Sequence, residues 1–179
     1  GVLSEVSSQR GGSLACGPCA RRGTYINSRM MDKRLVENEV LLPKVAELIA
    51  AGHTVTLRVK GHSMNPFLRH GRDLVTLAPF EPKQLHPGVV VLAREKGSSR
   101  IVLHRIIHRE GGQLTLQGDG NVQGTEQTMV SLVMGRVVEV IRGSSHFAVE
   151  GRIWRCYSRC WLSLRPVRRW LLAVYRRLP

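Results

Sequence analysis

The chain has 179 residues and a formal net charge of +14 at pH 7. This length fits one domain of ordinary size with an appendage and excludes two full domains. No apolar run approaches the roughly 18 residues that a membrane-spanning helix needs, and the first residues lack the pattern of a secretory signal peptide. We therefore expect a cytoplasmic protein or one that lies peripherally at a membrane.

The positive charge lies mostly at the two ends of the chain. Residues 152–179 contain eight Arg and no acidic residue, and residues 1–30 carry a net charge of +3. Residues 31–151 also carry only +3, from 15 basic and 12 acidic side chains. A nucleic-acid-binding domain more often carries its charge over the face that contacts the nucleic acid, so no nucleic-acid partner is expected.

Residues 1–30 differ in composition from the rest of the chain. They are rich in Gly, Ser and Arg and show no apolar periodicity, which predicts disorder. Because Met30 and Met31 directly precede a well-patterned segment, we interpret residues 1–30 as a leader or as upstream read-through. Cys16 and Cys19 match a redox motif, but the flanking strand and helix that it requires are not recognisable. No disulfide framework, metal site or cofactor is therefore predicted.

The hydrophobic periodicity predicts a short N-terminal helix within residues 31–53 and a β domain over residues 54–150. Helical spacing extends over residues 35–51, with Pro43 expected in the first turn of the regular part. From Thr54 apolar and polar residues alternate, as in a half-buried strand. Further strands are predicted at residues 73–78, 89–94, 100–108, 113–117 and 132–141. Six short strands without intervening helices predict a mainly β fold, with a coiled antiparallel sheet.

Three segments of the β domain contain side chains that could form a hydrolytic site. Ser63 lies in the loop GHSMNPFL, His104 in the strand IVLHRIIH, and Asp119 in the glycine-flanked turn QGDGN. A serine hydroxyl is a poor nucleophile until a base takes its proton, and a carboxylate can hold an imidazole in the required tautomer. The loop segment alone is equally well explained by an exposed serine without a catalytic role.

Four blocks, in this order, resemble type I signal peptidases and their relatives, the serine peptidases of the S24/S26 group. The blocks are GHSMNPFLRHGRDLV, VLHRII, LTLQGDGN and VMGRVVEV, and they extend over roughly Val55 to Ile141. Some members of the group use a Lys base, whereas the endoplasmic-reticulum, archaeal and sporulation-type signal peptidases use a His. The resemblance implies a signal peptidase or LexA-like fold, with Ser63 as nucleophile, His104 as general base and Asp119 as the acid that orients or charges the site.

The chain departs from the pattern of this group at three points. Arg72 is inserted between the Gly and the Asp that usually adjoin after the serine loop. His-type members also tend to carry a second Asp shortly after the Gly-Asp turn, so here either Glu126 takes its place or the second acid is absent. A transmembrane anchor, general in the group, is not recognisable in this sequence.

Other basic side chains near the serine are weaker candidates for the base. His62 adjoins Ser63, but neighbouring side chains usually point apart. Lys60 precedes Ser63 by three positions, whereas the Lys of the group comes from a separate strand. His104 and His108 cannot share a metal ion on a strand, because about 13 Å would separate them.

Residues 151–179 are predicted to form a basic tail of one or two amphipathic helices, interrupted near Pro166. Its apolar residues form two stripes, the first of Trp154, Tyr157, Trp161 and Leu164 and the second of Val167, Leu171 and Val174. Arginines opposite Trp and Leu are typical of a helix at a membrane surface. A helix packed on the protein's own sheet would show the same pattern.

These observations favour a serine endopeptidase related to signal peptidases, which would cleave precursor or exported peptides after small residues. The backbone N–H of Ser63 is the expected donor to the oxyanion. A catalytically idle relative that binds peptides or membranes is the alternative, since a fold does not guarantee a reaction. A self-cleaving regulator is disfavoured because residues 31–52 offer one helix where a DNA-binding helix pair is needed.

Overall fold

The structure, a computed structural model, describes residues 6–10, 38–149 and 151–177. These residues form helices α1 (Asn38–Ala50), α2 (Arg152–Ser163) and α3 (Arg168–Arg177). They also form strands β1 (Val6–Arg10), β2 (His53–Arg58), β3 (Asp73–Ala78), β4 (Val90–Arg94), β5 (Ile101–Glu110), β6 (Gln113–Gln117), β7 (Glu126–Met129), β8 (Val133–Arg142) and β9 (Ser145–Ala148). The predicted mainly β, antiparallel fold is confirmed.

The strands form one antiparallel sheet in the order β1-β2-β3-β8-β4-β5-β6-β7, with β9 beside β8. Strand β8 pairs with both β3 and β4, and its register shifts in each pairing. Strands β4 to β7 then follow one another as neighbours in space as well as in sequence. Strands β5, β6 and β7 therefore lie side by side in the sheet.

Strands β2, β3, β4, β5, β6 and β8 correspond to the six predicted ones. Strand β1 lies in the segment predicted to be disordered, and that part of the prediction is wrong: it pairs with β2 from Val6 opposite Leu57 to Arg10 opposite His53. Strand pairing uses backbone N–H and C=O groups, so it does not require the apolar periodicity that the segment lacks. Residues 1–5 and 11–37 lie outside the described residues.

Helix α1 packs on the sheet with Leu42, Val45 and Ile49 buried. It confirms the predicted N-terminal helix, although residues 35–37 lie outside the described residues. Pro43 is inside the helix rather than in its first turn, because the helix already runs from Asn38. A proline there donates no backbone hydrogen bond, which weakens the helix. Burial of the apolar face against the sheet offsets this loss.

The basic tail folds into two helices, as predicted, with a 3₁₀ turn at Arg165–Val167 between them. Trp154 and Trp161 of the first apolar stripe are each only 7% exposed. Phe67 of the sheet domain meets Trp154 edge-on, with ring centroids 4.3 Å apart, and lies 4.7 Å from the ring of Tyr157. These three residues of the first stripe therefore pack on the protein itself. Within the described residues, no helix is long and apolar enough to cross a bilayer.

The inserted Arg72 has a partner in the next residue, Asp73, which is buried at the start of β3. The Arg72 guanidinium donates to both carboxylate oxygens at 2.6 and 2.9 Å, and the backbone N–H of Arg69 donates at 2.9 Å. Burial alone would raise the pKa of Asp73, but these donors and nearby Arg142 hold it below its ordinary value. The same contact raises the pKa of Arg72. Arg72 thus stabilises a buried charge at the end of the loop that contains Ser63.

Because folding lowers the pKa of Asp73, its contribution to stability is present above its ordinary pKa of 3.8 and is lost as the pH falls through the folded value. We expect Asp73→Asn to lower the free energy of unfolding at pH 7 and to flatten its decline between about pH 5 and pH 3. Urea unfolding at several pH values measures both effects. An unchanged pH dependence in Asp73→Asn would show that this carboxylate does not contribute to acid unfolding.

Candidate active site

Ser63 lies in the loop of residues 59–72 that joins β2 to β3, called here the Ser63 loop. Met64 and Leu68 in this loop are buried, at 2% and 0% exposure, and anchor it in the larger apolar cluster of the sheet. Ser63 itself is half-buried. Its carbonyl oxygen accepts a hydrogen bond from the backbone N–H of Gly120 at 2.8 Å. The loop is therefore fixed on both sides, with Ser63 half-buried between these contacts.

The 118–121 turn, Gly118-Asp119-Gly120-Asn121, packs so closely on the Ser63 loop that two of its positions need glycine. A Cβ at Gly120 would lie 2.8 Å from the carbonyl oxygen of His62. A Cβ at Gly118 would come within 3.0 Å of both the Ser63 carbonyl oxygen and His104 Nε2. Such separations from backbone atoms are too short for a real side chain. The backbone of Ser63 and the Nε2 atom of His104 are thus neighbours across Gly118.

His104 projects from β5 into the interior and is 2% exposed. Its Nδ1 atom lies 2.9 Å from the Oε2 atom of Glu126, a residue that is itself 7% exposed. An ionised carboxylate only accepts hydrogen bonds, so the contact with Glu126 favours the tautomer in which Nδ1 donates and Nε2 of the neutral imidazole has the lone pair. Nε2 is on the side of Gly118 and the Ser63 loop. This tautomer is the one that a general base for Ser63 requires.

The register of three strands brings Glu126 to His104. Ile106 of β5 pairs with Leu116 of β6, and Leu116 pairs with Glu126 of β7. Side chains two residues apart on a strand share a face, so His104 is on the same side as Ile106. Strand β6 ends at Gln117, and the following Gly118 has no side chain to separate the imidazole from the carboxylate.

Asp119 contacts Arg105 rather than His104. The Arg105 guanidinium donates from Nε to one Asp119 oxygen at 2.9 Å and from Nη2 to the other at 2.6 Å. Both side chains are buried, at 0% and 1% exposure. The structure therefore places the backbone of Ser63 near His104. It differs from the sequence prediction in the acid, because the carboxylate that contacts His104 belongs to Glu126.

Arg105 connects the 118–121 turn with three other parts of the molecule. Its Nη1 atom donates to the carbonyl oxygen of Gly88 and to Oγ of Ser158 in α2, both at 2.7 Å. Its guanidinium carbon lies 5.5 Å from the ring centroid of Phe67 in the Ser63 loop. Burying a charged group is tolerated only with such complete pairing. Arg105 is thus a buried link between the turn, the loop and the basic tail.

The remaining histidines near the loop have other surroundings. His62 is exposed, with its Nδ1 3.4 Å from the amide nitrogen of Asn65 and its ring 5.5 Å from that of His70. His108 is exposed on the β5–β6 hairpin. Among the described residues, the imidazole beside the Ser63 loop that is both buried and paired with a carboxylate is that of His104.

Sequence reasoning misses the roles of two residues in these contacts. The motifs suggest Glu126 only as a possible replacement for a second acid, although its position shortly after the Gly-Asp turn is a usable signal. They assign no role to Arg105, which directly follows His104 in the strand motif. A buried arginine cannot be distinguished by sequence from an exposed one, because burial depends on partners such as Ser158 that are distant in the chain.

The close packing at Gly118 gives a direct prediction. Gly118→Ala should push the Ser63 loop away from His104, and a displacement near 1 Å can reduce catalysis by about 10²-fold. The cleavage rate of a peptide substrate measures this loss. Gly112→Ala is the matched control, since a Cβ there meets nothing within 4 Å. Equal activity of the two variants would mean that the Ser63–His104 separation is not set by this contact.

Comparison with known proteins identifies the family of the chain. No curated protein and no solved structure shows a significant match to the chain. The family model described as Peptidase S24-like matches residues 22–138, which include the Ser63 loop, His104, the 118–121 turn and Glu126. The chain therefore belongs to the Peptidase S24-like family.

Proposed function

We propose that the protein is a serine endopeptidase with Ser63 as nucleophile, His104 as general base and Glu126 as the residue that orients the base. The observation that carries this proposal is the buried His104–Glu126 pair at 2.9 Å, whose free Nε2 adjoins the Ser63 loop. A buried imidazole held by a carboxylate beside a half-buried serine matches the requirements of nucleophilic catalysis. The use of a His base makes the chain similar to the His-type signal peptidases.

The reaction would proceed by acyl transfer. His104 Nε2 accepts the hydroxyl proton while Ser63 Oγ bonds to the scissile carbonyl carbon, and Glu126 stabilises the imidazolium that forms. The imidazolium then gives its proton to the leaving amine as the C–N bond breaks. A water molecule, deprotonated by the same His104, attacks the acyl-enzyme and releases the second product with Ser63 restored.

The oxyanion of the tetrahedral intermediate needs hydrogen-bond donors that are not already occupied. Among the described residues, no internal acceptor takes the backbone N–H of Ser63. The Ser63 carbonyl is held by Gly120, which fixes the orientation of the adjoining peptide groups. The backbone N–H of Ser63 is therefore our proposed oxyanion donor.

Asp119 and Arg105 act in this mechanism as positioning residues. Their buried ion pair holds the 118–121 turn, and this turn carries the Gly120 N–H that fixes Ser63. Neither side chain takes part in proton transfer. The role of Asp119 is thus to stabilise the geometry of the site, whereas Glu126 orients the imidazole.

The proposed substrate is a precursor or exported peptide, bound in extended form and cut after small residues, as in the similar signal peptidases. The first experiment compares the full chain with Ser63→Ala and His104→Ala on a pool of peptides that contain Ala-X-Ala sites. A second pool with Leu-X-Leu at the same positions is the matched substrate control. Mass spectrometry identifies the cuts.

We expect cuts after the second Ala with the unchanged chain and none with either variant. Cleavage that persists in Ser63→Ala would contradict the assignment of the nucleophile. Binding of the peptides without any cleavage would instead support the alternative of a catalytically idle peptide-binding relative.

A further inference from the structure

A second surface of the molecule, distinct from the candidate active site, is formed by the outer side of α3 and the turn before it. Large hydrophobic side chains that are exposed in the described residues are concentrated here, and five of them fall within residues 164–174. They are Leu164, Val167, Trp170, Leu171 and Val174, with exposures of 39, 44, 64, 40 and 61%. We call these five residues the α3 apolar patch.

The opposite side of α3 is fixed to the protein, so the orientation of the α3 apolar patch is defined. Leu172 and Arg168 are each 2% exposed. Arg168 donates to the side-chain oxygen of Gln117 at 3.1 Å and to the carbonyl oxygen of Trp161 at 3.2 Å. Because these contacts occupy the inner face, the patch remains directed to solvent. A cluster of exposed apolar side chains of this kind marks an interaction surface.

Positive charge accompanies the α3 apolar patch in the basic tail. The guanidinium of Arg169 lies 5.0 Å from the ring centroid of Trp170. The exposed arginines of the tail further include Arg152, Arg155, Arg159 and Arg177. Residues 151–177 contain no acidic residue, so no charge of the tail itself offsets them. A partner complementary to this surface combines negative charge with apolar groups.

We propose that the α3 apolar patch docks the protein on an anionic lipid surface. Aliphatic and indole side chains enter the boundary between headgroups and acyl chains, and Arg169 beside Trp170, with the other exposed arginines of the tail, attracts the anionic headgroups. A nucleic acid would also attract the arginines and stack on Trp170, but it offers no apolar phase for Val167, Leu171 and Val174. The observations therefore favour lipid over nucleic acid.

Co-sedimentation of the full chain with vesicles tests the proposal. We expect binding to vesicles of 70% phosphatidylcholine and 30% phosphatidylglycerol that is at least about tenfold stronger than binding to pure phosphatidylcholine, and that weakens with salt. The double variant Trp170→Ser/Val174→Ser should lose at least about tenfold in affinity for the anionic vesicles. Phe147→Ser is the matched control, because Phe147 is 47% exposed but lies on β9.

Tryptophan fluorescence gives a second reading that does not depend on sedimentation. Trp154 and Trp161 are already buried and Trp170 is exposed, so insertion should shift the emission to shorter wavelength through Trp170 alone. The variant Trp170→Phe should still bind anionic vesicles but lose this shift.

Three results would overturn the proposal. They are unchanged vesicle affinity in Trp170→Ser/Val174→Ser, equal binding to neutral and anionic vesicles, and displacement from anionic vesicles by duplex DNA at equal charge concentration. These experiments contain no peptide substrate, so their outcome is independent of the proposed peptidase activity.

Discussion

Glu126→Gln is expected to lower the rate of peptide cleavage by about 10⁴-fold, the loss seen when the orienting carboxylate of a serine–histidine site becomes an amide. The amide nitrogen of Gln can donate to Nδ1 of His104, which moves the imidazole proton to Nε2. Nε2 then cannot accept the proton of Ser63. Steady-state kinetics on a cleaved peptide measure the loss, and thermal unfolding shows whether the fold is retained.

The matched control for this substitution is Glu139→Gln. Glu139 makes the same kind of contact at the surface, where Nδ1 of His146 lies 2.9 Å from its carboxylate and both side chains are partly exposed. This variant should cleave at the unchanged rate. Full activity in Glu126→Gln, together with loss of activity in Asp119→Asn at unchanged stability, would show that Asp119 orients the base.

Asp119→Ala is expected to lower the free energy of unfolding by about 3–5 kcal/mol, because it leaves the buried Arg105 without its counter-charge. In the native protein two hydrogen bonds at 2.9 and 2.6 Å join these side chains, and both are buried. Urea unfolding measures the change. The effect on cleavage should follow from loss of the folded site and not from loss of a proton-transfer group.

A surface ion pair provides the comparison for this result. Glu47→Ala removes the carboxylate of the Lys44–Glu47 pair, whose side chains are 67–70% exposed, and exposed pairs contribute about 0–1 kcal/mol. The double variant Arg105→Met/Asp119→Leu should recover part of the stability, since no buried charge is then left unpaired. A change near 0.5 kcal/mol in Asp119→Ala would contradict the structural role assigned to the pair.

The strands and helices that can be predicted from sequence are those whose buried positions are occupied mainly by apolar side chains, because the apolar pattern then follows the period of the element. Strand β3 alternates between buried and half-buried residues, with Asp73, Val75 and Leu77 inward. Its buried residues therefore recur at every second position in the sequence. Strand β7 is not predicted because its buried residues are Glu126 and Thr128, and these polar residue types are usually found at the surface. Strand β9 is not predicted either, because all four of its residues are exposed.

In the candidate site, too, some residues can be predicted from sequence and others cannot. Ser63 and His104 lie in short ordered motifs, so local sequence is sufficient to select them. The choice between Asp119 and Glu126 depends on the pairing of Leu116 with Glu126 across β6 and β7. That pairing is a property of the folded sheet. Local sequence can name both acids, but it cannot decide which one reaches the imidazole.

Activation of Ser63 by His104 can be tested without knowing the natural substrate. A fluorophosphonate probe reacts with an activated serine, and peptide mass spectrometry locates the adduct. We expect one adduct on Ser63 in the folded full chain, at least about 10²-fold slower labelling in His104→Ala, and none in Ser63→Ala or in the heat-unfolded chain. Labelling of Ser63 at the same rate with and without His104, or only at the rate of the unfolded chain, would show that His104 does not activate Ser63.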